Sequence, residues 1–330
     1  MPKQRVGQIA VVLLLLGSAV LVACAPLAPA SEPDPVSLHL KWLHQAQFAG
    51  FYMAEQAGFT TQENLKLTIV PGGVDAPPIP AVLNGNEQFG VAGGGDLVKA
   101  RSEGAPLVAL AAIFQRSPVC FIAMTSSGIQ RPQDFVGHRV GVKVGTGTDI
   151  PYYVMMANVG VDRSTIEEVP AGADLTPFYQ GEIEVYPGFV INEPDTIRRA
   201  GYDVNVILSS DYGVNMYSDV LFTTEEMIAK NPDLVQRFVR AMMQGWQYAV
   251  EHPGETVDVV MGYAPDGERE HQETMLDTTI RLVSPGGTPI GTMDAKIWQS
   301  MHDTLLEYGV IATPLDVNGL YTDRFLKETQ

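Results

Sequence analysis

Asn192 and Glu193 follow a nearly continuous apolar run, Val185–Val190, and so emerge at the carboxyl end of a strand. An amide and a carboxylate placed there can pair with ring N–H or hydroxyl groups of a ligand. Asp96, Asp149 and Asp219 offer further acceptors, with helix capping as the competing role for Asp96 and Asp149. Flat faces are also at hand. Trp42, Phe48, Phe51 and Tyr52 crowd one strand-to-helix junction, and Tyr152, Tyr153, Tyr186 and Tyr217 recur further on. Stacking contributes about 0.5–1.5 kcal/mol per aromatic pair beyond area burial. Core packing competes with ligand contact for each of them, least so for Trp42 just behind a strand end. The expectation is that Trp42 and one or more tyrosines sandwich a planar ring.

Two glycine-rich loops could fix the edges of such a ring. Gly145-Thr146-Gly147-Thr148-Asp149 follows an apolar strand and precedes a helix, so its amides and hydroxyls can meet a ligand at a helix N-terminus. It lacks the Gly-Lys-Ser/Thr ending of a nucleotide loop, and Asp149 would repel phosphate. Gly93-Gly94-Gly95 lacks dinucleotide spacing. Either loop alone reads equally well as a tight turn; together they favour a polar-lined cleft. The candidate ligand residues are therefore Trp42, Gln45, Phe48, Tyr52, Gly95, Asp96, Gly145, Thr146, Thr148, Tyr152, Tyr186, Asn192, Glu193 and Tyr217. No catalytic set accompanies them. His39, His44, His138, His252, His271 and His302 form no HExxH pair, no Gly-x-Ser-x-Gly elbow occurs, and neither a metal site nor a cofactor is expected. Only Cys24 and Cys120 are present, and Cys120 lies in the apolar run Val119–Met124, where a buried thiol is the expected role.

The elements that must position these residues alternate from Val36 onward. Strand-like Val36–Leu40, Leu65–Val70, Phe89–Ala92 and Leu107–Phe114 are separated by helix-like Gln47–Ala57, Ile79–Leu83 and Asp96–Glu103. A second series follows Arg116-Ser117-Pro118 with Val119–Met124, Arg139–Val144, Ile150–Asn158, Thr165–Val169, Val185–Val190 and Val204–Leu208. That rhythm predicts an α/β protein of two lobes, each a mainly parallel sheet flanked by helices. Lobe I is expected over residues 36–117, lobe II over 118–224, and a helical return completing lobe I over 225–330. The hinge candidates are Gln115–Pro118 and Asp219–Thr224. Within the return, Leu234, Phe238, Met242 and Trp246 recur at i+4, which makes Trp246 a core residue rather than a ligand clamp. In open α/β sheets ligands sit beyond the carboxyl ends of the strands, where the candidate residues fall.

The N-terminus sets the compartment. Lys3 and Arg5 precede an uncharged apolar stretch ending in Leu21-Val22-Ala23-Cys24, which reads as a lipoprotein signal over residues 1–23 with Cys24 lipidated. The stretch is shorter than the roughly 20 apolar residues of a spanning helix. Residues 24–35, rich in Pro and Ala, read as a tether. The chain carries a formal charge of −17, and losing Lys3 and Arg5 with the signal would leave −19. Such acidity disfavours nucleic acid and anionic lipid as partners.

Several stretches resemble, in order, the periplasmic-type binding proteins related to the thiamine-pyrimidine synthases. They are Leu40 to Gly73, with Lys-Trp, Gln-Ala-Gln-Phe-Ala-Gly-Phe-Tyr and Glu-Gln-Ala-Gly-Phe; Arg131 to Val142; Gln180 to Val185 followed by Asn192-Glu193-Pro194; Asp211 to Val214 through Asp219-Val220-Leu221; and Asn231 to Phe238 through Gly245-Trp246. The resemblance implies a two-lobed Venus-flytrap protein. It would act as a monomer, lipid-anchored outside the cytoplasm, and deliver a small vitamin ligand to the permease of an ATP-driven importer. Family members bind thiamine pyrimidine precursors, a lipoprotein branch binds riboflavin, and this chain looks closest to that branch. The family's pyrimidine-making enzymes carry a cysteine-rich iron motif that this sequence lacks, which implies a binding protein rather than an enzyme.

Overall fold

The structure, a computed structural model, describes residues 32–327. Cys24 and the expected signal lie outside them. Among the described residues, ten strands form two five-stranded sheets. The first has the order β2-β1-β3-β10-β4 and the second β7-β6-β8-β5-β9.

The first sheet contains β1 (Asp34–His39), β2 (Leu65–Val70), β3 (Phe89–Ala92), β4 (Leu107–Phe114) and β10 (Ser218–Thr224). The second contains β5 (Val119–Met124), β6 (Arg139–Val142), β7 (Glu167–Pro170), β8 (Val185–Phe189) and β9 (Val204–Leu208). Each sheet is mixed in the same way: β10 runs antiparallel between β3 and β4, as β5 does between β8 and β9. The remaining pairs, β1 with β2 and β3 and β6 with β7 and β8, are parallel.

One expected boundary moves. Ser218–Thr224, taken with the second lobe and in part as a hinge, is a strand of the first sheet. Its apolar Val220, Leu221 and Phe222 are fully buried between β3 and β4, which a hinge could not provide. The chain therefore crosses between sheets at Gln115–Pro118 and returns within Ser209–Tyr217. The first strand begins at Asp34, inside the expected tether; its amide donates to the Asn64 carbonyl at 3.0 Å and its carboxylate pairs with Arg237 at 2.7 Å.

β4, LVALAAIF, is buried at every position although it lies at a sheet edge. The C-terminal return covers that edge. Ala109 donates to Leu320 O, Ala112 to Gly291 O and Gln115 to Leu282 O, at 2.9–3.1 Å. In the helix Pro232–Glu251, Phe238 stacks on Phe89 at 3.7 Å and Trp246 meets Phe51 edge-on at 5.5 Å. Gly50 and Gly245 let this helix press on Ala49–Gln56: a Cβ at Gly50 would lie 2.0 Å from the Trp246 ring, and one at Gly245 would lie 2.3 Å from the Gly50 carbonyl.

Candidate functional site

The carboxyl ends of corresponding strands in the two sheets each present a lysine. Lys41 follows β1 and Lys143 follows β6, and both are almost wholly buried. A buried ammonium requires a counter-charge, and each lobe supplies its own. Lys41 Nζ lies 3.1 Å from Asp219 Oδ1 on β10, and Lys143 Nζ lies 3.2 Å from Glu193 Oε1 behind β8. The aromatic rings take the remaining faces. Lys41 stands 4.4 Å over Phe189, while Lys143 stands 4.3 Å over Tyr186 and 5.4 Å over Trp42.

Neutral hydrogen bonds hold both carboxylates. Gln47 Nε2 donates to Asp219 Oδ2 at 2.7 Å, and Gln45 Nε2 donates to Gln47 Oε1 at 2.6 Å, a relay from the cleft to Lys41. The backbone at Asp219 is left-handed, with φ 50°, a conformation that costs a non-glycine residue roughly 1–2 kcal/mol and that this site retains. Glu193 Oε2 accepts the Phe189 amide at 2.8 Å. In the glycine-rich loop, Thr146 Oγ1 donates to the Lys143 carbonyl at 2.8 Å and lies 3.2 Å from Thr148 Oγ1, so the loop wraps the end of β6.

Three cavities adjoin at the junction of the lobes. The first is lined by Trp42 and Gln45 from the first lobe and by Thr146, Thr148, Asn192 and Glu193 from the second, together with Lys41, Gln47, Lys143 and Phe189. The second shares Lys41 and Thr146 with it and adds Pro77, Pro78, Asp96 and Gly145. The third holds Gly95, Asp96 and Tyr217. Here the lobes touch: a Cβ at Gly93 would lie 3.2 Å from Gly147 Cα and one at Gly95 would lie 2.9 Å from Ile150. Asp96 from one lobe thus faces Asp149 from the other. Burial first and then the Asp149 charge push the Asp96 carboxyl up to about 7, and burial likewise raises that of Asp149.

Four candidates stand away from these cavities. Phe48 is fully buried in the first lobe's core. Tyr52 supports the cleft from behind: its hydroxyl accepts the Gln45 amide at 3.3 Å, and its ring stacks on Tyr263 at 4.1 Å. Tyr152 packs against Phe121 at 5.5 Å. Tyr186, in the strand rather than at its end, backs Lys143 and donates to the Gly172 carbonyl at 2.7 Å. The aromatic facing the first cavity with Trp42 is therefore Phe189 and not a tyrosine. Tyr217 reaches only the third cavity, its hydroxyl accepting the Asp294 amide at 2.8 Å.

The residues that sequence reasoning missed are Lys41, Lys143, Gln47 and Phe189. A signal for the lysines was available: Leu38-His39-Leu40 and Val140-Gly141-Val142 are each followed directly by a lysine as the strand stops.

Two lobes of this topology, crossed twice by the chain, with buried polar groups converging on the gap between them, define the class: the protein has the periplasmic-binding-protein fold. The alkanesulfonate-binding protein SsuA from Xanthomonas axonopodis pv. citri, solved bound to MOPS, superposes with a TM-score of 0.71 at 13% identity, over 89% of this chain and 100% of that one. Residues 45–256 match the NMT1/THI5-like family, and the chain belongs to it. Among its relatives, the riboflavin-binding protein RibY of Chloroflexus aurantiacus is 25% identical over 99% of both chains. The formylaminopyrimidine-binding protein of Halalkalibacterium halodurans is 24% identical over 92% of this chain and 95% of its own length. A 4-amino-5-hydroxymethyl-2-methylpyrimidine phosphate synthase of Legionella pneumophila is 25% identical over 92% of this chain and 96% of its own.

Proposed function

We propose that this chain is the extracytoplasmic solute-binding component of an ABC-type importer, that it captures riboflavin between its lobes, and that it hands the vitamin to a membrane permease. The observation that carries this reading is the pair of neighbouring cavities with Lys41 and Thr146 in both walls, one flanked by Trp42 and Phe189 and the other lined by Asp96, Gly145 and Thr146. A ligand with a flat ring system and a hydroxylated tail would reach both walls as the lobes close on it, with the ring between the aromatic side chains and the hydroxyls against the carboxylate and the loop. Both lysines are already neutralised, which suits an uncharged ligand. Lobe closure would bury the ligand and give the permease one closed surface to dock, a hinge motion. Lipid on Cys24 would hold the protein at the membrane, and the chain would bind without changing its ligand.

A second reading takes an aminopyrimidine as the ligand. The names of two relatives favour it. Thermal shift and intrinsic-fluorescence titration of the chain from Ala25 onward, with riboflavin and with 4-amino-5-hydroxymethyl-2-methylpyrimidine, separate the two. A ligand at 100 times its Kd stabilises by about 2.7 kcal/mol. Stabilisation by riboflavin and not by the pyrimidine is expected, and the reverse pattern would replace riboflavin with the second reading.

A further inference from the structure

His271 stands near the start of the helix Arg269–Val283, which belongs to the first lobe through its packing on β4 and on the Ala46–Phe48 turn. Its ring nevertheless reaches the second lobe. Nδ1 lies 2.6 Å from Asp195 Oδ2 and Nε2 lies 3.0 Å from Asn192 Oδ1. Both partners sit at the start of the helix Glu193–Arg199, and Asn192 lines the first cavity.

Asn192 is placed where an asparagine side chain ordinarily caps a helix by accepting an amide of its first turn. It makes no such bond. Its Oδ1 is instead engaged by His271 and, at 3.4 Å, by the Thr196 hydroxyl. An amide carries an acceptor on one end and donors on the other, so engagement of one end by His271 commits the other end to the cavity.

Asp195 fixes the ring. A carboxylate only accepts, so Nδ1 donates to it; Nε2 then donates to Asn192 Oδ1 when the ring carries both protons, and accepts from an Asn192 amide turned to present its NH2 when the ring is neutral, and either way one end of the amide is held. Arg199 braces the same carboxylate at 2.6 Å and links back to Glu270 of the first lobe at 3.1 Å. Partial burial raises the Asp195 carboxyl, but hydrogen bonds from His271 and Arg199 outweigh it and hold the group below the usual carboxylate range. The adjacent Gln272 turns the other way: its Oε1 accepts the Ala46 amide at 2.8 Å, between Gln45 and Gln47 of the same cavity. One helical turn therefore grips the cavity wall in both lobes.

We propose that His271 is a positioning residue of the ligand site, one that reaches across from the first lobe to orient the Asn192 amide toward the ligand and does so only when the lobes are together. This rests on the interlobe cavities being the ligand site. It makes Asn192 a reader of closure: in the open protein the amide is free to turn, and in the closed one it presents a fixed end. Dissociation of the ligand, which requires opening, is the rate that His271 controls.

The test is a double-mutant cycle on the mature chain with riboflavin and 4-amino-5-hydroxymethyl-2-methylpyrimidine as probes, reading Kd and both rate constants by stopped-flow fluorescence. His271→Ala is expected to weaken binding about tenfold, nearly all of it in the dissociation rate, and His271→Gln, which can still bond the amide, to restore binding to within about threefold of wild type. In an Asn192→Ala background, His271→Ala is expected to change Kd less than about twofold, since a contact in common couples the two sites. If Asn192→Ala weakens binding while His271→Ala leaves it unchanged, or if the two losses simply add, the positioning role is overturned and the site stands. If neither probe binds the wild type, or Asn192→Ala has no effect on Kd, the site reading fails and this inference with it.

Discussion

The Lys143–Glu193 pair gives a prediction whose size follows from geometry. The charges are 3.2 Å apart, with side chains 2% and 11% exposed. At an effective dielectric constant of 20 their attraction is about 5 kcal/mol, set against the desolvation of both ions. Removing one partner from such a pair costs about 3–5 kcal/mol, because the survivor stays buried and uncompensated. Lys143→Met should therefore destabilise the protein by about 3–5 kcal/mol. Glu193→Gln should cost about 3 kcal/mol, at the lower end, since glutamine still accepts from the Phe189 amide. The double variant carries no buried charge and keeps that acceptor, so it should lie within about 1 kcal/mol of wild type. The singles would then fail to add by about 5–8 kcal/mol. Urea unfolding at constant m measures all four proteins. Single losses under about 1 kcal/mol, or a double variant that shows their sum, would refute the claim that this pair is buried and coupled.

Two further predictions follow from neighbouring groups. The Asp96 carboxyl, raised to about 7 by burial and by Asp149 against the opposing pull of Lys41, the Gly93 amide and Lys99, keeps a proton that the unfolded chain, titrating near 4, gives up. This contribution to stability is whole below about pH 4 and is lost as pH rises through about 7. Asp96→Asn fixes the neutral form and should remove much of the fall in melting temperature between those values; parallel curves for variant and wild type would count against it. Trp42→Ala should weaken riboflavin binding tenfold or more, to order of magnitude, with an unchanged melting temperature of the free protein, because Trp42 is only half-buried and faces the cavity. An unaltered Kd by fluorescence titration would remove Trp42 from the site.

Periodicity made the strands legible because their apolar runs are short, complete and bounded by turn residues. Leu65–Val70, Phe89–Ala92, Leu107–Phe114, Val119–Met124 and Val204–Leu208 begin and end where the sequence places them. β10 was misplaced for a topological reason: a strand inserted antiparallel from the far side of the chain carries no local mark of which sheet receives it. The strand-end rule brought Trp42, Gln45, Thr146, Thr148, Asn192 and Glu193 to one cavity. It failed for Tyr186 and Tyr152, whose bulk was better used against core rings, and it overlooked Lys41 and Lys143. Their places behind the strands are marked locally, but that they are buried is readable only through their partners, and Asp219 is 178 residues from Lys41 in the chain.

The partners are distributed in a way that bears on how the cleft opens. Lys41 and Asp219 both belong to the first lobe, and Lys143 and Glu193 both to the second. Each lobe thus neutralises its own cation, and separating the lobes breaks neither pair. Asp96 and Asp149 come from opposite lobes and gain nothing from approach, since two carboxylates, one buried and one half-buried, cannot both ionise at close range without cost. Closure without ligand is opposed by that pair and favoured by the contacts of His271 with Asn192 and Asp195, of Arg199 with Glu270, and of Lys41 and Lys143 with rings of the facing lobe. A ligand that bonds both walls supplies the differential free energy that closure needs, since a ligand can shift an equilibrium only by as much as it prefers one state. The same arithmetic makes release sensitive to pH: ionisation of the Asp96–Asp149 pair loads the closed form more than the open one. Ligand affinity should therefore fall as pH rises through about 7 in the wild type and stay flat in Asp96→Asn, and a wild-type affinity independent of pH from 5 to 9 would mean that the two carboxylates do not govern the joint.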